Sequence, residues 1–186
     1  MATLPMNPGD WTIDSQRLHL RPFTPDDAGE AFAAITPGLT RYMAFEPPAS
    51  EAAFAAVWNG WLSTIMDGSD FTFVIRRHAD CAFLGLAGLH RTADAEPELG
   101  IWIAEAMHGR GYGREAVAAL WSSASQRLQC AAFRYPVAEQ NAPSRRLVEL
   151  LGGVPIAREH GVKYTALVYR IAARAPGVAT DVAESR

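Results

Sequence analysis

The stretch Glu98-Leu-Gly-Ile-Trp-Ile103, followed after a short polar link by His108-Gly-Arg-Gly-Tyr-Gly-Arg-Glu-Ala116, decides how this chain is read. It reads as a strand, a glycine-rich turn and the start of a long helix. Gly109, Gly111 and Gly113 alternate with larger residues where the chain must turn sharply and let a ligand approach its backbone. From Glu115 to Leu128 the apolar residues Ala116, Leu120, Ala124 and Leu128 recur at helical spacing, flanked by Val117 and Trp121. The first N–H groups of a helix are bare and sit at the positive end of its dipole, which suits a phosphate. Arg110 and Arg114 add guanidinium forks that match phosphate oxygens. The stretch is a phosphate cradle, and the rest of the chain must say whose phosphate it holds.

Residue spacing separates the cofactor classes that use such a loop. A nucleoside triphosphatase requires Gly-x-x-x-x-Gly-Lys-Ser/Thr, and no lysine follows these glycines. A dinucleotide fold requires Gly-x-Gly-x-x-Gly and an acidic residue ~20 positions on. Here the spacing is Gly-x-Gly-x-Gly, and the corresponding region, Cys130-Ala-Ala-Phe133, has no carboxylate. What remains resembles the GNAT superfamily of N-acetyltransferases, whose signature Gln/Arg-x-x-Gly-x-Gly/Ala opens a helix after a central strand. Gly111 and Gly113 fit that signature, and His108 stands where Gln or Arg is usual. A second block, Asn141-Ala-Pro-Ser144 running on to Gly152, is similar to the Asn-x-x-Ser stretch of the same superfamily. With the tryptophan-bearing strand around Trp102, it points to the branch of ribosomal-protein N-terminal acetyltransferases. The match runs from about Arg17 to Ile171, with Gly153-Val154 replacing the usual Gly-Phe.

The resemblance implies an α+β fold: a mixed, mostly antiparallel central sheet with splayed central strands, flanked by helices. It implies acetyl-CoA as co-substrate, with its pyrophosphate on the loop His108, Gly109, Arg110, Gly111, Tyr112, Gly113 and Arg114. The arm of the cofactor would enter the V between the splayed strands, against the backbone of Ile101, Trp102 and Ile103. One of those backbone N–H groups would stabilise the oxyanion. Asn141 would cap its helix or hold the arm. Ser144 would protonate the leaving thiolate, the competing reading being a first-turn cap hydroxyl. Because the thioester is already activated, a neutral amine can attack it directly once the two are positioned and a base accepts its proton. Carboxylates available for that base are Glu46, Glu96, Glu98 and Glu159. Glu98, at the start of the central strand, is the candidate; its structural alternative is a solvent-facing strand-end charge. No histidine has the Ser or Cys partner pattern of a nucleophilic triad, and His160 is the one near the expected rim.

Composition agrees with one compact domain. The chain has 186 residues, 49% of them apolar, and a formal net charge of −3, which argues against broad nucleic-acid binding. Its two cysteines, Cys81 and Cys130, lie in apolar runs and read as buried thiols; no spacing suggests a metal. No secretory signal or membrane-length apolar run is seen, so the cytoplasm is the expected compartment and no membrane partner is expected. The domain is expected over 1–172, with a loose start before Asp10 and a disordered tail over 173–186.

In order, the pattern predicts a strand at Leu18–Pro22, a helix opened by Thr24-Pro25 and ended by Pro37-Gly38, and a second helix capped by Ser50. Its apolar face (Phe54, Val57, Trp58, Trp61, Leu62, Ile65) is core or the wall of an acceptor groove. Hairpin strands follow at Phe71–Arg76 and Cys81–Leu89, then a strand at Ala131–Val137, and two near Ile156–Glu159 and Val162–Ile171.

The acceptor most in keeping with the branch is a peptide or protein α-amine. An aminoglycoside or polyamine would call for a strongly acidic groove, and the acids of residues 24–51 are spread out. A non-catalytic acyl-CoA-binding sensor needs the same cradle and stays open, as does edge-strand pairing into a homodimer.

Overall fold

The computed structural model describes residues 7–175. Eight strands form one sheet: Ile13–Asp14 (β1), Leu18–Pro22 (β2), Phe71–Arg77 (β3), Phe83–His90 (β4), Glu98–Ile103 (β5), Ala132–Ala138 (β6), Val154–His160 (β7) and Thr165–Ala172 (β8). Their order is β1-β2-β3-β4-β5-β6-β8-β7, antiparallel throughout except for the parallel pair β5–β6. The helices are Ala28–Ala34 (α1), Pro37–Thr40 (α2), Glu51–Asp67 (α3), Tyr112–Arg127 (α4) and Ala142–Leu150 (α5). This is the expected mixed α+β architecture.

Alternation along the strands puts Leu18, Leu20, Phe71, Phe73, Leu89, Leu99 and Phe133 into a single core with Ala116, Val117, Leu120 and Ala124 of α4. β3 and β4 open with five consecutive buried residues each, because the sheet is covered on both faces there. β7, at the sheet edge, is exposed along its whole length.

Local chemistry sets the helix ends. Ser50 accepts from the Ala53 N–H and opens α3, and Gly68, left-handed at φ 76°, ends it. At Thr24 the chain makes a 3-10 turn over Pro25–Asp27 before α1 begins. Asp27 is fully buried and accepts from Arg21, Arg76 and Thr24. Burial alone would raise its pKa, but the hydrogen bonds from Arg21, Arg76 and Thr24 outweigh that and bring it to about 2.

Three expectations need correction. Pro37-Gly38 does not end a helix: Thr36 accepts from the Leu39 N–H and Pro37 opens α2, the same cap-then-proline logic as at Thr24-Pro25. Cys81 is exposed, because it closes the turn before β4 in a left-handed conformation (φ 57°), and Cys130 is half-buried. Of the expected tail, Ala173 donates to Ala131 C=O and Arg174 N–H to Ser125 Oγ, fastening the chain beside α4. The remainder, 176–186, and residues 1–6 lie outside the described residues.

Candidate active site

β5 and β6 run side by side for a single register pair, Glu98 with Arg134, where Arg134 N–H donates to Pro97 C=O at 2.9 Å. Beyond it the two strands share no further pair, and the sheet opens into a V. Alternation decides what faces the opening. Ala104 N–H donates to Leu84 C=O on β4, and Trp102 pairs with Leu86 on the same side. The amides of Ile101 and Ile103 therefore point to β6. In agreement, Ile103 C=O looks away from β4 and accepts from His108 Nε2 at 2.6 Å. Of the three expected backbone positions, Ile101 and Ile103 aim into the cleft, while Trp102 spends its amide on the β4 ladder and lays its ring beside Phe83.

The glycine-rich loop closes the open end. Gly111 is the N-cap of α4 with φ 79°, a conformation that costs other residues ~1–2 kcal/mol. Gly113 differs: a Cβ there would lie 3.5 Å from Ile103 Cγ1 and 3.6 Å from Leu147 Cδ1, ordinary contact distances. The protein's own packing does not demand glycine at 113. A ligand drawn close to the backbone would. The same two neighbours show that the end of β5, the start of α4 and the face of α5 converge on this point. Arg110 and Arg114 are exposed, and among the described residues neither makes an ion pair, so both forks are available to phosphate oxygens. These features fit the pyrophosphate of coenzyme A. His108 anchors the loop to β5 through its Nε2 contact with Ile103 C=O.

A brace behind the loop went unread in the sequence. The Arg17 backbone N–H and Nε both donate to the Glu115 carboxylate at 2.7 Å, and Nη1 donates to Arg110 C=O at 3.2 Å. The same guanidinium stands 4.7 Å over the Tyr112 ring, and the Tyr112 hydroxyl accepts from Arg77. Partial burial pushes the Glu115 pKa up, but hydrogen bonds from Ser15 and Arg17 outweigh it and hold it low. Ser15 and Arg17 lie about a hundred positions from Glu115, and no local pattern signals such a pairing.

Across the cleft, Asn141 Oδ1 accepts from Ser144 N–H at 3.3 Å and caps α5. The Ser144 hydroxyl does no capping; it lies 3.0 Å from the hydroxyl of Tyr135 on β6. Tyr135 is fully buried, and burial pushes its pKa up to about 12 against a smaller lowering from Ser144. Its place in an apolar strand gave it the look of core.

The four candidate bases are all engaged by cations. Glu98 pairs with Arg91 and lies 4.0 Å from Arg134 Nε, which is buried with no hydrogen-bond partner. Glu159 pairs with Arg134 at 2.6 Å, Glu96 with Arg170 at 2.6 Å, and Glu46 with Lys163 at 2.8 Å. Glu98 shares a sheet face with His90, whose ring covers Gly88, and the half-buried Tyr164 phenol has its pKa raised by desolvation and by the Glu98 charge. His160 Nδ1 lies 3.0 Å from Thr165 Oγ1. Among the described residues no helix is long and apolar enough to cross a membrane, and no cluster of metal-ligating side chains is present.

The profile of the acetyltransferase (GNAT) domain matches residues 17–154. No curated protein matches the sequence. Among solved structures, Mycobacterium smegmatis RimJ in complex with CoA-disulfide is similar at 19% identity and a TM-score of 0.79, covering 89% of each chain. RimL, a ribosomal L7/L12 α-N-protein acetyltransferase solved with coenzyme A, is 14% identical with a TM-score of 0.77, covering 87% of this chain and 98% of that one. Spermidine N-acetyltransferase from Vibrio cholerae, in complex with CoA and spermine, is 20% identical with a TM-score of 0.74, covering 86% and 97%. At these identities the structures speak for the fold alone.

Proposed function

Since this chain belongs to the GNAT acetyltransferase family and is an acetyl-CoA-dependent N-acetyltransferase, we propose that its acceptor is a single primary amine, the α-amine of a peptide or protein, and not a polycation. The carrying observation is charge balance. Glu46, Glu96, Glu98 and Glu159 are each matched by Lys163, Arg170, Arg91 or Arg134. A polyamine or aminoglycoside gains its affinity from several uncompensated carboxylates, and displacing these partners would strand as many cations. One amine needs only one proton acceptor.

Acetyl-CoA brings a thioester already activated for attack. The chain's residues position it and manage charge. The loop from Gly109 to Arg114 holds the pyrophosphate, and the Ile101 and Ile103 amides face the developing oxyanion. Glu98, at the closed end of the V, accepts the amine's proton through water. Tyr135 stays protonated well above neutral pH and donates to Ser144 Oγ. The Ser144 hydroxyl can then pass a proton to the departing thiolate while it takes the Tyr135 proton, which solvent restores after the product leaves.

The test is CoA release from acetyl-CoA with peptides of varied free N-termini, spermidine and an aminoglycoside. Saturable release with a peptide, abolished by blocking its α-amine, is the expected result. Turnover confined to spermidine or the aminoglycoside would overturn the acceptor assignment.

A further inference from the structure

The V between β5 and β6 needs a physical cause, because two adjacent parallel strands with free N–H and C=O groups gain by continuing to pair. The one bridge is made by Arg134 N–H to Pro97 C=O and, as parallel pairing of Glu98 with Arg134 requires, Leu99 N–H to Arg134 C=O. In a parallel ladder the next donor from β6 belongs to the residue two positions on, and its acceptor is the carbonyl two positions on in β5. Those are residue 136 and Leu99. Residue 136 is a proline, which has no N–H to give. The opening starts where the donor is missing.

Proline is tolerated there because of the other side of the strand. β6 pairs with β8 without interruption from Ala132–Ala172 to Ala138–Ala166, and Pro136 lies opposite Val168. Glu139 N–H donates to Thr165 C=O on the β8 side, so the odd-numbered residues serve β8 and the even-numbered ones face β5. The ring therefore costs the β6–β8 ladder no hydrogen bond and removes one from the β5 side only. A central strand has become an edge on one flank.

We propose that Pro136 is a positioning residue that keeps β5 and β6 apart beyond Glu98, leaving the Ile101 and Ile103 amides unpaired for the acyl-bearing arm of acetyl-CoA. The part concerning the arm rests on the reading of the cleft as the cofactor channel. Restoring a donor, in Pro136→Val or Pro136→Ala, lets residue 136 N–H bond Leu99 C=O and Ile101 N–H bond the carbonyl of residue 136. The arm would then have to break those bonds before it could enter.

The experiment measures amide hydrogen exchange at single-residue resolution in the free chain, together with the acetyl-CoA KM and the melting temperature. In the wild type, Ile101 N–H should exchange far faster than Trp102 N–H, a result that needs no variant. In Pro136→Val, Ile101 protection should rise at least tenfold and the KM for acetyl-CoA about tenfold, the scale of one or two net backbone hydrogen bonds, with no fall in melting temperature. Pro136→Ala should shift all three readings the same way. Equal protection of Ile101 and Trp102 in the wild type would overturn the proposal. So would a raised KM accompanied by a lower melting temperature and unchanged exchange, which is what simple loss of packing gives. Because exchange is read without acetyl-CoA or acceptor, turnover confined to a polyamine would remove the acceptor assignment and leave the role of Pro136 standing.

Discussion

Two hydroxyls 3.0 Å apart, on Tyr135 and Ser144, carry the sharpest expectation at the level of single residues. Ser144→Ala should lower kcat by ~10²-fold with little change in the acetyl-CoA KM, the pattern of a lost proton donor. Equal losses in both, measured by initial rates, would remove Ser144 from the chemical step. Asp27 gives a prediction about stability. Its carboxyl is neutralised by Arg21 and Arg76 inside the protein, so Asp27→Asn should cost about 3 kcal/mol in urea unfolding at pH 7 by leaving Arg21 unmatched and Arg76 with Glu30 alone. The sign of the pH dependence follows from the direction of the shift. A carboxyl lowered from 3.8 to about 2 on folding stabilises the fold above 3.8, and that contribution is lost as pH falls toward 2. The gap between wild type and variant should therefore narrow between pH 4 and pH 2; a gap that stayed constant would show that the ion pairs do not carry the effect.

At the level of elements, the start of α4 separates two kinds of glycine. Gly111→Ala forces a left-handed alanine and should lower both the melting temperature and acetyl-CoA affinity. Gly113→Ala meets only ordinary contacts, so its melting temperature should hold while the acetyl-CoA KM rises about tenfold or more. If the two variants lose stability equally, the distinction between conformational and ligand-imposed glycine fails. Much of this element was legible beforehand. The glycine spacing, the helical period after it and the cap at Asn141 are local rules, each written within a few residues. The brace of Arg17 on Glu115 and the Tyr135–Ser144 pair were not, because each joins segments whose proximity only the sheet order creates. Pro37 was misread because proline both ends helices and begins them, and only the Thr36 hydroxyl decided between the two.

For the whole molecule, the parallel pair at the centre of an otherwise antiparallel sheet puts the cradle, the unpaired amides and Ser144 around one opening. Binding at such a cradle is partly electrostatic. The acetyl-CoA KM should rise with added salt in the wild type and less steeply in Arg110→Ala and Arg114→Ala; identical slopes would remove those side chains from phosphate contact. A mixed, mostly antiparallel sheet with splayed central strands was foreseen through resemblance, whereas the proline proposed to hold the V open was concealed in a run of apolar strand residues. Lys163 has a wider consequence. It is the only lysine in the chain, and its ammonium is held by Thr40 C=O, Phe45 C=O and the Glu46 carboxylate. Donating to two carbonyls and a carboxylate, its amine is tied down and not presented as a free nucleophile. A catalyst that binds a reactive thioester is thereby spared acylating its own side-chain amines.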